Sequence, residues 1–353
     1  MDDKALAEHL KDLIRASGLS AFEASVREIV AAAWKPYTPQ QTVSRLGSLH
    51  ALQPGTGRNG RPQILLAAHM DAVGLMVTQM IGGFCRVTQI GGLDARVLPG
   101  LAVTIHGREK VPATVVLPPA ALLPPDRKAE VARLQDLWLD TGLPEAEAAR
   151  LIRTGDTVSF AQPPLDLAGG RIAGHSLDDR AGVAALTVCL GELAARPHRW
   201  DVIAAATVQE EETLGGAATS AFALHPDVAV AVDVSYGAGA GLPEHKTYPL
   251  AEGPTIGLGA NVHPGVHRAF LRTAAKAGIK YSLEVMPAHS GTDAFAMQVA
   301  AEGIPTGVIG IPLRSMHTAV ETVVLSDVRA TGHLLAETIV SLDDTFLTKL
   351  RWE

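Results

Sequence analysis

The apolar positions of residues 5–33 recur at helical spacing, Leu10, Leu13 and Ile14 and then Val26, Ile29 and Val30, which predicts two helices. Gly18-Leu19-Ser20 separates them as a loop. Short β-type runs follow at 42–43 and 48–52. The run Ile64-Leu65-Leu66-Ala67-Ala68 is apolar without alternation, as in a strand covered on both faces of an α/β sheet. Between residues 74 and 160 the texture changes. Runs at 74–77, 85–90, 102–106, 113–117 and 156–160 are short, β-branched and punctuated by Gly and Pro, the pattern of a small barrel or sandwich. Residues 117–125, with four prolines, cannot continue a ladder because proline has no N–H; they read as an exposed loop.

Strand–helix alternation then resumes. The periodicity predicts helices at 179–193, 216–224, 267–277 and 293–301, and strands at 202–208, 228–232, 281–285 and 306–311. A closing helix covers 327–342, with Ser326 as its cap. Strands spaced by helices imply an α/β fold with a mixed or parallel sheet. The expected organisation is discontinuous: residues 1–72 and 166–353 form the main α/β domain, and residues 73–165 form an inserted β-barrel domain.

Composition narrows the classes. A chain of 353 residues is long for a single domain, and 47% apolar residues can bury a large core. A net charge of −7 argues against nucleic acid or an anionic membrane as partner. No uncharged apolar run nears the ~18 residues of a membrane span. The start, Met1-Asp2-Asp3-Lys4, has no basic segment leading into an apolar one, so no export signal is expected. Cys85 and Cys189 are the only cysteines; this excludes a disulfide framework or thiolate zinc site and fits a reducing cytoplasm.

Ligands of open α/β sheets bind beyond the carboxyl ends of the strands. His69-Met70-Asp71 follows the first apolar strand, Glu210-Glu211-Glu212 the second and Asp233 the third; His317 follows the last, and Asp178-Asp179 precede a helix. Each alone has an ordinary explanation. An H-x-D is usually a solvated loop pair, paired aspartates usually cap a helix, and three glutamates usually form a solvated turn. All five at one end of one sheet are harder to dismiss, because converging carboxylates repel in a dry cleft unless cations neutralise them.

Nitrogen and oxygen donors without sulfur suit Zn²⁺, Co²⁺ or Mn²⁺, zinc or cobalt first. Two ions per subunit can share a bridging carboxylate. His69 and Asp233 then hold one ion, Glu211 and His317 the other, with Asp178 between them. Two dications against three carboxylates leave one positive charge, which a bridging hydroxide cancels. Asp71 is placed to accept the other N–H of His69. Glu210 is expected to point away from Glu211, as neighbours on an extended chain do, and to act as general base.

The blocks Ala67-Ala68-His69-Met70-Asp71, Leu177-Asp178-Asp179-Arg180, Thr207-Val208-Gln209-Glu210-Glu211, Val232-Asp233-Val234, Gly291-Thr292-Asp293-Ala294 and Met316-His317-Thr318 resemble those of the tetrahedral (TET-type) aminopeptidases. These are dinuclear metallopeptidases that include glutamyl aminopeptidases and relatives mislabelled as endoglucanases. The likeness covers nearly the whole chain. It implies the same five ligands (Asp178 bridging), Glu210 as base, and a cis peptide after Asp178. It also implies a zinc-peptidase-like catalytic domain interrupted by a PDZ-like dimerisation barrel, peptide substrates, and self-association into dimers and a tetrahedral dodecamer. The chain departs from the pattern at Glu212, where an apolar residue is usual, at Gly215, where arginine is usual, and at Ser290, where glycine is common. Glu212 raises the expectation of a preference for basic N-terminal residues.

Other readings compete. A glycosidase built on Glu210/Glu211 leaves both histidines without a task and needs carboxyls ~5–9.5 Å apart on separate elements. A deacylase, aminoacylase or carboxypeptidase uses the same metal core with different end recognition. An inactive scaffold would not need a complete ligand set plus base. His175, His263 and His267 read as surface or supporting residues, His289 as the exception nearest the Gly-Thr-Asp block, and Asp293 as a helix cap.

Overall fold

A computed structural model describes residues 1–56, 60–124 and 131–350. The main sheet has eight strands in the order Gln40–Val43, Leu49–Gln53, Asp201–Thr207, Gln63–His69, Val228–Tyr236, Thr306–Leu313, Thr255–Gly259 and Ser282–Met286. The four strands from Asp201–Thr207 to Thr306–Leu313 run parallel, and antiparallel pairings flank them. Leu66, Ala68, Ala204, Ala206, Val230 and Val232 face one core layer. The intervening Leu65, Ala67, Ile203, Ala205, Ala229 and Ala231 face the other. A strand's period of two sends neighbours to opposite faces, so a strand apolar at every position is one covered on both sides. The helices Leu177–Leu193 and Leu325–Ser341 cover the first face, Gly215–Leu224 and Asp293–Gln298 the second.

Six antiparallel strands between Gly74 and Phe160 close a barrel, in the order Gly74–Ile81, Phe84–Ile90, Trp138–Asp140, Lys110–Val116, Ala102–His106 and Thr157–Phe160. Val77, Cys85, Val103, Ile105, Val111 and Leu139 fill it. The proline-rich stretch leaves the ladder after Val116, and its Leu122 is 80% exposed; Pro125 lies outside the described residues. A third sheet joins Leu165–Leu167, Arg171–Gly174 and Glu321–Val324. Among the described residues no helix is long and apolar enough to cross a membrane.

The mixed α/β sheet and the barrel match the sequence expectation, with four differences. Thr255–Gly259 is a strand, although its two glycines weaken the β signal. Helix Glu145–Leu151 lies inside the barrel segment. Helix Pro264–Ala277 starts earlier than its apolar period shows, with His263 accepting from the Gly265 N–H. Ser326 is not the cap of the last helix: Glu321–Val324 runs straight into Leu325–Ser341, Val324 takes the cap position, and Leu325 N–H bonds the Gly170 carbonyl instead.

Candidate metal centre

The carboxyl ends of the parallel strands bring the candidate residues to one place. His69 closes its strand, Asp233 lies near the end of the next, and His317 follows Thr306–Leu313. Glu210 and Glu211 follow Asp201–Thr207, and Asp178 comes from the first turn of Leu177–Leu193. His69, Asp178 and Asp233 each offer an atom within 4.8 Å of the others, and Asp178, Glu211 and His317 form a second such group. Nε2 of His69 lies 3.1 Å from Asp178 Oδ1 and 3.9 Å from Asp233 Oδ1. Nε2 of His317 lies 3.3 Å from Asp178 Oδ2 and 3.4 Å from Glu211 Oε2. Asp178 therefore shows one oxygen to each group.

Glu210 and Glu211 do not sit on extended chain as expected. They open the short helical turn Glu210–Thr213 after a left-handed Gln209, and that turn aims both side chains at the cluster. Glu210 Oε2 is 3.9 Å from His69 Nε2. Left-handed backbone recurs around the cluster at Ser176, Gln209, Ser315 and His317, with φ of 56–60°. Such conformations persist at non-glycine residues only where their surroundings over-determine them. The Asp178–Asp179 peptide is cis.

Several residues brace this arrangement. Nδ1 of His69 is 3.2 Å from the Asp71 carbonyl and 3.5 Å from its carboxylate. The same carboxylate accepts from Ser20 Oγ and from the N–H groups of Glu210 and Glu211. Asp71 thus fixes the histidine and the glutamate turn together. Asp179 takes the cap task in place of Asp178, accepting from Gly182 N–H at 3.0 Å.

Two braces went unread in the sequence. Glu321 is buried and accepts from the N–H groups of Leu177, Asp178 and His317; its signal was an acid inside the apolar run Ala319–Val324. Arg180 is fully buried and donates to the carbonyls of Leu13, Ala16, Gly18 and Met70. The barrel reaches the cluster through one loop. Gly91 N–H donates to Glu212 at 2.6 Å, and Gly92 lies against the His317 ring.

Asp293 is not a helix cap. Thr292 caps the helix, and Asp293 is buried with Oδ2 accepting from Thr207 Oγ1 at 2.5 Å. His289 lines the cavity over the cluster, its Nδ1 accepting from Gly291 N–H. His175, His263 and His267 make local bonds away from it.

The electrostatics are those of acids crowded out of water. Burial, then the Asp233, Asp293 and Glu211 carboxylates, pushes Glu210 up to about 10. Burial and Asp178 push Asp233 up to about 8, and the same pair raises Glu211 well above the carboxylate range. Against burial, hydrogen bonds from His317 and His69 hold Asp178 low. Also against burial, Asp178 and Asp71 raise His69 well above the usual imidazole value. Glu211 Oε1 is buried with no hydrogen-bond partner among the described residues. An unpaired buried carboxylate oxygen among acids that resist ionising is costly, and dications relieve both problems at once. The all-N,O donor set fits them.

A cavity of about 570 Å³ opens over the cluster, and among the described residues no lysine or arginine lines it. The fold and this acid-rich, imidazole-bearing cleft define a metal-dependent hydrolase. Residues 47–334 match the model for the M42 glutamyl aminopeptidase family. The lysyl aminopeptidase of Pyrococcus furiosus is 31% identical over 350 residues, covering 96% of this chain and 99% of the relative. A TET aminopeptidase from a marine sediment Thaumarchaeota archaeon superposes with a TM-score of 0.92 at 28% identity, covering 98% of this chain and all of that one. The TET1 peptidase of Pyrococcus horikoshii, which can assemble into a tetrahedron or a large octahedral shell, gives 0.83 at 29% identity over 96% of this chain and 100% of that one. The chain belongs to the M42 family and is a metallo-aminopeptidase, a hydrolase of peptide bonds.

Proposed function

We propose that the protein removes N-terminal residues from short peptides at a centre of two divalent cations, zinc or cobalt. His69 and Asp233 would hold one ion, Glu211 and His317 the other, and Asp178 both. When bound, the cations supply Lewis acidity to the scissile carbonyl and lower the pKa of a water. Glu210 accepts the proton of the attacking water and hands it to the leaving amine. Its carboxyl takes the base role once positive charge offsets the acids that hold it protonated. Asp71 keeps the His69 ring and the Glu210–Glu211 turn in place.

One observation favours an aminopeptidase over a carboxypeptidase or aminoacylase on the same core. The cavity wall is acidic and, among the described residues, carries no lysine or arginine, so it suits a substrate ammonium and offers no arginine fork or lysine ammonium for a terminal carboxylate. A tetrapeptide with a free N-terminus should be trimmed stepwise, and its N-acetylated form left intact. Equal cleavage of the two would overturn the reading in favour of a deacylase or endopeptidase.

Residues 1–72 and 166–353 are the catalytic domain in this reading, and residues 73–165 the dimerisation barrel. The barrel exposes Ile81, Phe84 and Leu117, apolar surface of the kind that interfaces cover. Dimers built on it would form a tetrahedral dodecamer enclosing the active sites. The buried free thiols Cys85 and Cys189 suit the reducing cytoplasm.

A further inference from the structure

The cavity wall holds two carboxylates that neither the metal cluster nor the base explains, Glu212 and Glu284. Glu284 lies on Ser282–Met286, the last strand of the sheet, and reaches inward across the neighbouring strands. Its path is cleared by the glycine at position 310. A Cβ on Gly310 would sit 1.9 Å from Ser235 Oγ, 2.3 Å from Thr255 Oγ1 and 3.0 Å from Glu284 Oε2. In that trough Glu284 Oε2 accepts from Ser235 Oγ at 2.5 Å and from Thr255 Oγ1 at 2.6 Å. Oε1 accepts no hydrogen bond among the described residues.

Ser235 lies two residues beyond Asp233 on the same strand, so both point to the same face. Glu284 is thereby fixed on the side of the sheet that carries the metal cluster. Met286, two residues further along the edge strand, faces the same cavity and offers an apolar wall. The charge around it is one-sided: Glu284 and Glu212 are present, and among the described residues no lysine or arginine lines the wall. Glu212 is already engaged, because its carboxylate accepts from Gly91 N–H.

Resting on the aminopeptidase reading, we infer that Glu284 is the specificity residue for the substrate's first side chain and selects peptides beginning with lysine or arginine. The long alkyl stem lies against Met286, as such stems do on apolar surface, and the cationic head meets the free Oε1. The Ser235 and Thr255 hydroxyls hold the carboxylate in place. An acidic first residue would face Glu284 without a counter-charge and be refused.

The test uses the metal-loaded protein and four aminoacyl p-nitroanilides carrying Lys, Arg, Leu and Glu. The wild type should prefer Lys and Arg over Glu by ~100-fold or more in kcat/KM, and Glu284→Gln should lower the Lys-to-Leu ratio by about tenfold, mainly through KM. Gln keeps the shape and an acceptor for the two hydroxyls, and the wild-type panel needs no variant at all. Cleavage of Leu with Lys and Glu treated alike would overturn the specificity assignment and leave the aminopeptidase reading standing. So would a Lys-to-Leu ratio unchanged in Glu284→Gln. Failure to cleave any of the four would remove both.

Discussion

The barrel and the main sheet are both β-structures with apolar cores, and they treat charge in opposite ways. In the barrel segment, the buried acid among the described residues, Asp156 just ahead of the strand Thr157–Phe160, is paired with Arg153 at the surface. At the carboxyl end of the main sheet, Asp71, Asp178, Asp179, Asp233, Asp293 and Glu321 are all buried. The fully buried arginine beside them, Arg180, is taken up by backbone carbonyls. A fold that satisfies local rules in one region and breaks them in another shows where its function lies. The barrel can be understood through packing; the sheet end cannot be understood without cations.

That contrast can be broken or sharpened by substitution. Glu210→Gln should lower kcat by ~10²–10⁴-fold with metal content by elemental analysis unchanged; near-normal turnover would remove Glu210 from the chemistry. Glu321→Gln places an amide N–H₂ against backbone N–H groups that now meet a carboxylate. It should weaken cation binding by ~10–100-fold in competition titrations, and unchanged affinity would reduce Glu321 to a folding role.

Within the barrel the expected effect on catalysis is smallest. Leu139→Ala should cost ~2–5 kcal/mol of unfolding free energy, read by denaturant titration, while the folded protein keeps its kcat/KM. A Cβ on Gly92 would sit 3.2 Å from His317 Nδ1, so Gly92→Ala should do the reverse, lowering activity several-fold with little change in stability. Equal behaviour of the two variants would erase the functional distinction between barrel core and barrel loop.

The strands that carry the candidate ligands were readable because their apolar runs are unbroken, and the ends of such runs are where chemistry sits in this architecture. The convergence of His69, Asp178, Glu211, Asp233 and His317 followed from that one rule. What escaped was fixed by distant partners. Thr255–Gly259 becomes a strand only between Thr306–Leu313 and Ser282–Met286, and its Gly257 and Gly259 pack close against Val308 and the Met286 backbone. Asp293 looks like a cap in its local context, yet Thr207, 86 residues away, claims its carboxylate. Glu210 and Glu211 diverge by a helical turn that their composition does not announce. Glu321 and Arg180 act through backbone groups, which no side-chain motif records.

The four carbonyls that Arg180 takes have a practical consequence. Three of them belong to Leu13, Ala16 and Gly18, at and just beyond the end of the first helix, so the amino-terminal segment is a mooring for the residue two places after Asp178. Shortening the protein from that end, a routine step in preparing crystals or fusions, would strip a buried guanidinium next to the candidate ligands of most of its acceptors.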